Sequence, residues 1–197
     1  MDIQVTNQAV KDIACDALVL GAVRKRAGQQ AKSVGLLKLT KKVDSLLGGL
    51  ISEVCMDGEF QGQPGELITI HTMGKLAAKR VVVVGLGTQE KLSLEVLQRA
   101  SATAARHLQS TGAQQIVLAL DWEDTSIDPV QGVQAEVEGA LLGLYTFRKY
   151  QSAHLNGNGQ GVKQIRLLVN DANDTTINIA VHRGIALAEA TNFARDL

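Results

Sequence analysis

The chain has 197 residues, 45% apolar and 20% charged, with twenty basic residues balancing twenty acidic ones. That length suits one domain, the apolar share argues against wholesale disorder, and zero net charge gives no electrostatic footprint for nucleic acid or anionic lipid. Aromatic residues make up only 3% and prolines number two, so the core is expected to consist of Val, Leu, Ile and Ala. The opening Met1-Asp2-Ile3-Gln4-Val5 lacks the basic and apolar regions of a secretory signal. No stretch approaches the roughly 20 apolar residues that span a bilayer, and the expectation is a soluble cytoplasmic protein. Cys15 and Cys55 are far apart, form no metal-type pair and read as reduced thiols.

In chain order, the first expected strand is 3–6, followed by Ala17-Leu18-Val19-Leu20, ended by Gly21. A helical spacing of apolar residues runs from 36 to about 54, interrupted by Gly48-Gly49. Leu67 to His71 reads as a strand, and Val81-Val82-Val83-Val84 reads as a strand covered on both faces. Residues 93–109 carry Leu94, Leu97, Ala100, Ala104 and Leu108 along one helical stripe, with Ser93 as N-cap and Glu95 in the positive first turn. A strand is expected at 115–120. A helix should start at Asp128-Pro129, a capping residue followed by a proline at the first helical position. Its stripe is Val130, Val133, Val137, Leu141 and Leu144. Residues 156–161 read as a glycine-bearing surface turn and 165–169 as a strand. A last helix runs from about Asp174 to Arg195-Asp196-Leu197 with no stop signal, which is expected of a boundary inside a longer protein. Six expected strands alternating with helices predict an α/β layered domain.

A search for chemistry yields little. Gly85-Leu86-Gly87-Thr88-Gln89-Glu90 follows a strand, as a dinucleotide loop would. The third glycine of that fingerprint is replaced by Glu90, whose charge would repel a pyrophosphate, so a tight strand-to-helix turn is expected. His71, His107, His154 and His182 form no pair at metal-ligand spacing. His71, at a strand end beside Thr72, is the most site-like of the four. No Gly-x-Ser-x-Gly elbow occurs. The acidic group Asp121, Glu123, Asp124 and Asp128 fits no calcium loop and reads as a solvated connection. Asp171-Ala172-Asn173-Asp174 reads as a turn and helix cap. No catalytic, cofactor-binding or metal-binding residue is assigned.

Three segments resemble one family, the dinuclear-metal leucyl aminopeptidases, also called cytosol aminopeptidases. They are the strand and turn from Ala78 to Gly87, the glycine-bearing helix Glu138-Gly139-Ala140-Leu141-Leu142-Gly143-Leu144 with its Tyr145-Thr146-Phe147-Arg148-Lys149-Tyr150 end, and the segment from Gly184 to Leu197. Gly58 to Glu66, with Phe60, Gly62 and Gly65, is similar to a loop of the same family. Gln151 departs from the lysine common there, and the 156–161 glycines are not diagnostic. The resemblance implies a non-catalytic N-terminal domain over residues 1–172, with a three-layer α/β fold like that of macro domains, a mixed, mostly parallel sheet of about six strands between helices, and a linker helix over 173–197 leading to a catalytic domain. For a full protein it implies cytoplasmic removal of N-terminal residues from peptides by two divalent metal ions, zinc or manganese, bound outside this chain. It further implies assembly into a hexamer, a role for this domain in assembly and active-site access, and no cleavage by the chain alone.

The alternative weighed against this is a free-standing macro-like module that binds ADP-ribose or a related nucleotide. It is motivated by the expected fold and by the Gly85-Leu86-Gly87 turn. DNA binding, known for some members of the family, is unattractive at zero net charge, and no membrane partner is expected.

Overall fold

A computed structural model describes residues 1–25, 34–122, 126–146 and 161–196. Its strands are β1 (Asp2–Thr6), β2 (Ala17–Arg24), β3 (Val34–Leu36), β4 (Leu67–His71), β5 (Arg80–Thr88), β6 (Gln115–Ala119) and β7 (Gln164–Leu168). Its helices are α1 (Lys38–Leu47), α2 (Leu50–Met56), α3 (Leu94–Ser110), α4 (Pro129–Leu144) and α5 (Thr175–Arg195). The sheet runs β1-β7-β6-β2-β5-β4, with β3 beside β2. Among the described strands β1, β7, β6, β2 and β5 are parallel, and β3 and β4 run against their neighbours. The fold is therefore α/β with a mixed, mostly parallel sheet.

The continuous apolar runs are explained by burial on both faces. Ala17 and Val19 of β2 point into the same cluster as Val82 and Val84 of β5 and Ile116 and Leu118 of β6, against α3, α4 and α5. Leu18 and Leu20, with Val81, Val83 and Val117, enter the opposite cluster with Val43, Leu47 and Ile51 of α1 and α2. The strand period of two thus splits one apolar run between two cores.

The helix ends follow the local chemistry. Gly48 and Gly49, both at positive φ, separate α1 from α2, and the Lys75 ammonium donates to the Leu47 carbonyl at the α1 terminus, 2.7 Å away. The Ser93 hydroxyl accepts from the Val96 amide, Asp128 from Gln131 and Asp174 from Thr176, so all three expected N-caps are in place.

Two strand ends differ from expectation. β2 continues through Gly21 to Arg24, where it pairs with β3. Leu36 lies in β3 rather than opening a helix. The strand at 81–84 continues to Thr88, because Gly85 and Gly87 pair with the 62–66 segment instead of turning. Gly85 donates to Glu66 and Gly87 donates to Gly62 through their backbones. The glycine-bearing turn expected at 156–161 lies outside the described residues except for Gly161.

α4 is the middle helix of its layer, between α3 and α5. It is buried well beyond its expected stripe, at Gly132, Ala135, Glu136, Gly139, Ala140 and Gly143 as well. A Cβ at Gly139 would stand 2.1 Å from the Gln98 carbonyl oxygen, and one at Gly143 would stand 2.4 Å from that of Ala102. The neighbour in each case is helix backbone, which cannot rotate away, so only glycine allows this approach. Gly139→Ala should cost about 1–3 kcal/mol through overpacking. In thermal unfolding that is a fall of about 2–4 °C per kcal/mol, and an unchanged melting temperature would refute the contact.

Candidate functional site

The parallel strands end on a crevice. From the carboxyl end of β2 the chain passes to β3 and α1 on one face of the sheet, whereas from neighbouring β6 it passes through Asp121 and Trp122 to α4 on the other. After β1, Val10 and Ile13 join the α1–α2 face, while β7 leads to α5 on the opposite face. Diverging connections of this kind leave an opening at the strand ends. Here it is a cavity of about 520 Å³, floored by Leu120, Val133 and Leu167 and walled by α1 and α4.

Its polar groups are held in place. The Asp121 carboxylate, on a residue with φ +61°, accepts from the Leu39 amide in the first turn of α1, filling the positive helix terminus with a built-in anion. The Thr40 hydroxyl donates to the Gly21 carbonyl at 2.7 Å. On α4, Glu136 is only 3% exposed and its carboxylate accepts from the indole N–H of Trp122, itself 5% exposed. Exposed Lys38 and Lys42, one turn apart on α1, complete the wall, and among the described residues neither is in an ion pair.

At the opposite, amino ends of the strands, Asp16 is a structural hub. Its carboxylate accepts from Lys79 at 2.7 Å and from the Gln114 and Gln115 amides at 2.9 and 3.0 Å. Burial alone would raise its pKa, but Lys79 and the two amides outweigh it and hold the group down at about 2. Neighbouring Cys15 is pushed up to about 11, mainly by burial, against a lowering by Arg166. Cys55 is raised to about 11 by burial, with Asp44 and Glu66 adding to it. Neither thiol is activated as a nucleophile.

The residues singled out in the sequence do not converge. His71 is exposed on edge strand β4, His182 is exposed on α5, and the His107 Nε2 sits 3.1 Å from the Thr69 hydroxyl. His154, Glu123 and Asp124 lie outside the described residues. Asp121 holds α1 whereas Asp128 caps α4, so these two serve different helices. Asp171 accepts from the Asn173 amide, as a turn residue would. Among the described residues no three His, Cys, Asp or Glu side chains group to hold a metal ion, and no helix is long and apolar enough to cross a membrane. Gly85 and Gly87 spend their amides on Glu66 and Gly62, and a Cβ at Gly85 would lie 2.0 Å from the Gln63 carbonyl oxygen. The segment therefore cradles its own chain, not a phosphate. Glu66 locks that segment by accepting from the Gln61 and Gln63 amides.

The sequence reading passed over Trp122, Glu136, Lys38 and Asp16. A signal existed for one: Glu136 lies three residues after Val133 and beside Val137, on the apolar side of its helix, where a carboxylate needs a partner.

Two of the segments carrying the family resemblance meet in space. The Tyr145 hydroxyl, just past α4, donates to Asp196 at 2.6 Å, and the Arg195 guanidinium lies 5.4 Å from the Tyr145 ring centre. The hydrogen bond to Asp196 raises the Tyr145 pKa.

A carboxyl with a lowered folded pKa stabilises the fold above its unfolded value and loses that contribution as pH falls toward the folded one. For Asp16 the window runs from 3.8 down to about 2. In thermal unfolding, the stability advantage of the parent over Asp16→Asn should be present near neutrality and vanish across that window. A pH-independent difference would contradict the assignment. Cys15 and Cys55 should both react slowly with a disulfide reagent near pH 7.5 in the folded chain and fast in denaturant; rapid native labelling would count against their raised values.

Comparison with known proteins agrees with this fold. The family model described as "Cytosol aminopeptidase family, N-terminal domain" matches residues 19–154. A probable cytosol aminopeptidase of Alkaliphilus oremlandii is 30% identical over 198 aligned residues, covering all of this chain and 38% of the relative. One from Alkaliphilus metalliredigens is 29% identical with the same coverage, so the chain spans well under half the length of these relatives. Among solved structures, a mutant of tomato leucine aminopeptidase superposes with a TM-score of 0.76 at 20% identity, over 96% of this chain and 36% of that one. At that identity the superposition speaks for the fold alone. The match over most of the chain is the deciding observation: the chain belongs to the cytosol aminopeptidase family, in its N-terminal domain.

Proposed function

We propose that this chain is the non-catalytic N-terminal domain of a cytoplasmic, metal-dependent leucyl-type aminopeptidase, which removes N-terminal residues from peptides. The observation that carries the reading is the alignment of the whole chain with 38% of curated relatives named as probable cytosol aminopeptidases. The remaining length of such a protein is where catalysis would reside. The described residues offer no ligand set for the two zinc or manganese ions of the proposed activity, so those ions would be held outside this chain and no step is assigned to residues here.

In this reading residues 1–172 form the accessory domain, and 173–197 also connect it to its catalytic partner. The character of α5 supports that second role. Its inner side, with Ile177, Ala180, Val181, Gly184 and Ala188, is buried. Its outer side exposes Ile179, Leu187 and Phe193, to 49%, 50% and 68%. A helix apolar on both sides belongs between two packed bodies. The domain would serve assembly into a hexamer and shape access to the active site, acting through surfaces rather than reactive groups.

The purified 197-residue chain should show no turnover of leucine 4-nitroanilide with manganese or zinc, whereas the complete aminopeptidase should turn it over. Measurable hydrolysis by the chain alone, abolished by a chelator, would sink the assignment. Leu187→Asp should leave the unfolding free energy of the isolated chain within about 0.5 kcal/mol of the parent, as expected for an exposed site. The same change should lower the stability of the complete protein in thermal unfolding; an equal effect in both would remove the docking role of α5.

A further inference from the structure

We propose that the crevice at the carboxyl ends of β1, β7 and β6 binds a small organic monocarboxylate, an acid with one carboxylate on an apolar body. Topology opens the crevice between connections that leave neighbouring strands for opposite faces of the sheet, the place where open α/β sheets take ligands. Its charges divide into those already used and those left over. The Asp121 carboxylate accepts from the Leu39 amide and the Glu136 carboxylate from the buried Trp122 indole, and both residues have further partners. Neither is left to receive a cation. Lys38 and Lys42 line the same crevice from α1. Among the described residues neither ammonium is in an ion pair, and the lysine ammonium groups that donate hydrogen bonds are those of Lys75 and Lys79. The unmet charge of the crevice is therefore positive.

That charge and the shape of the lining select the ligand class. Side chains four residues apart leave a helix on one side, roughly 6 Å from each other, so both lysines can reach one carboxylate. The floor of Leu120, Val133 and Leu167 would cover the hydrocarbon body, contributing about 25 cal/mol per Å² removed from water. The volume of about 520 Å³ lies within the range of small-molecule pockets. A more highly charged anion is disfavoured, because Asp121 and Glu136 stand close by as carboxylates. A phosphate also finds the first-turn Leu39 amide of α1 already taken by Asp121. A free amino acid would bring an ammonium toward two lysines while both carboxylates are committed elsewhere. The acid without the amine fits best. The binding does not rest on the aminopeptidase reading.

Trp122, the single tryptophan of the chain, lines the crevice and serves as the reporter. Titration of the 197-residue chain with 4-methylpentanoate, followed by the indole N–H resonance and by fluorescence, should give a saturable change. 4-Methylpentanamide, of the same shape without the charge, should bind about fivefold to tenfold more weakly, as two exposed ion pairs allow. Leucine, which adds the ammonium, should also bind more weakly than 4-methylpentanoate. Sodium chloride at about 1 M, where the Debye length is about 3 Å, should weaken the acid and leave the amide unaffected. The Lys38→Ala, Lys42→Ala double variant should lose the preference for acid over amide while keeping its melting temperature, because both lysines are exposed. The Lys38→Arg, Lys42→Arg variant should retain it. The proposal is overturned if 4-methylpentanoate leaves Trp122 unperturbed at concentrations on the order of 10 mM. It is equally overturned if the amide or leucine binds as tightly as the acid, if the double alanine variant binds as the parent does, or if inorganic pyrophosphate binds and the acid does not. An inactive complete protein with intact binding of the acid would refute the aminopeptidase reading and leave this site standing.

Discussion

The backbone-to-backbone approach of α3 and α4 is the constraint from which the rest of the helical layer follows. With Gly139 beside the Gln98 carbonyl and Gly143 beside that of Ala102, α4 lies deeper than a helix of ordinary side chains could. That depth frees the other side of α4 for α5, which makes its own close approach, at Gly184 beside the Gln134 carbonyl. It also fixes where the two ends of α4 fall. The first turns bring Val133 and Glu136 over the end of β6, where Trp122 is held. The far end places Tyr145 against Asp196 and Arg195. A small-residue seam thus sets both the crevice at one end and the helix-to-helix clamp at the other.

The architecture was largely readable because its signals are local. Four valines in a row, a serine three residues before the amide it caps, and a proline after an aspartate each state their structure without reference to distant residues. The errors came where tertiary contact overruled the local signal. Gly21 reads as a strand end, yet β2 runs on because β3 pairs with its last residues. Gly85 reads as a turn, yet the 62–66 segment returns to pair with it. No window of sequence contains both partners, and a glycine that permits a close approach looks the same as one that permits a turn.

The polar sites were less legible for the same reason. Asp16 gathers Lys79, Gln114 and Gln115 from two other parts of the chain. Asp121 reaches back to the first turn of α1. Each looks in sequence like a surface aspartate. The two ends of the sheet also differ in kind. At the amino ends, opposite charges and amides are consumed in holding Asp16. At the carboxyl ends, charges of both signs face a cavity. Both ends carry an opening beside these groups, and only the fold distinguishes the two arrangements.

The two-sided character of α5 has a thermodynamic consequence. Its inner stripe belongs to the domain core and its outer stripe is open, so folding of the helix and occupancy of its outer face are linked equilibria. Whatever covers Ile179, Leu187 and Phe193 binds only the folded helix and stabilises the domain by mass action. A partner on the same polypeptide acts at a local concentration in the millimolar range for a short connection. Two bodies with separate cores that share such a helix would therefore melt together, and fraying at one would be felt by the other.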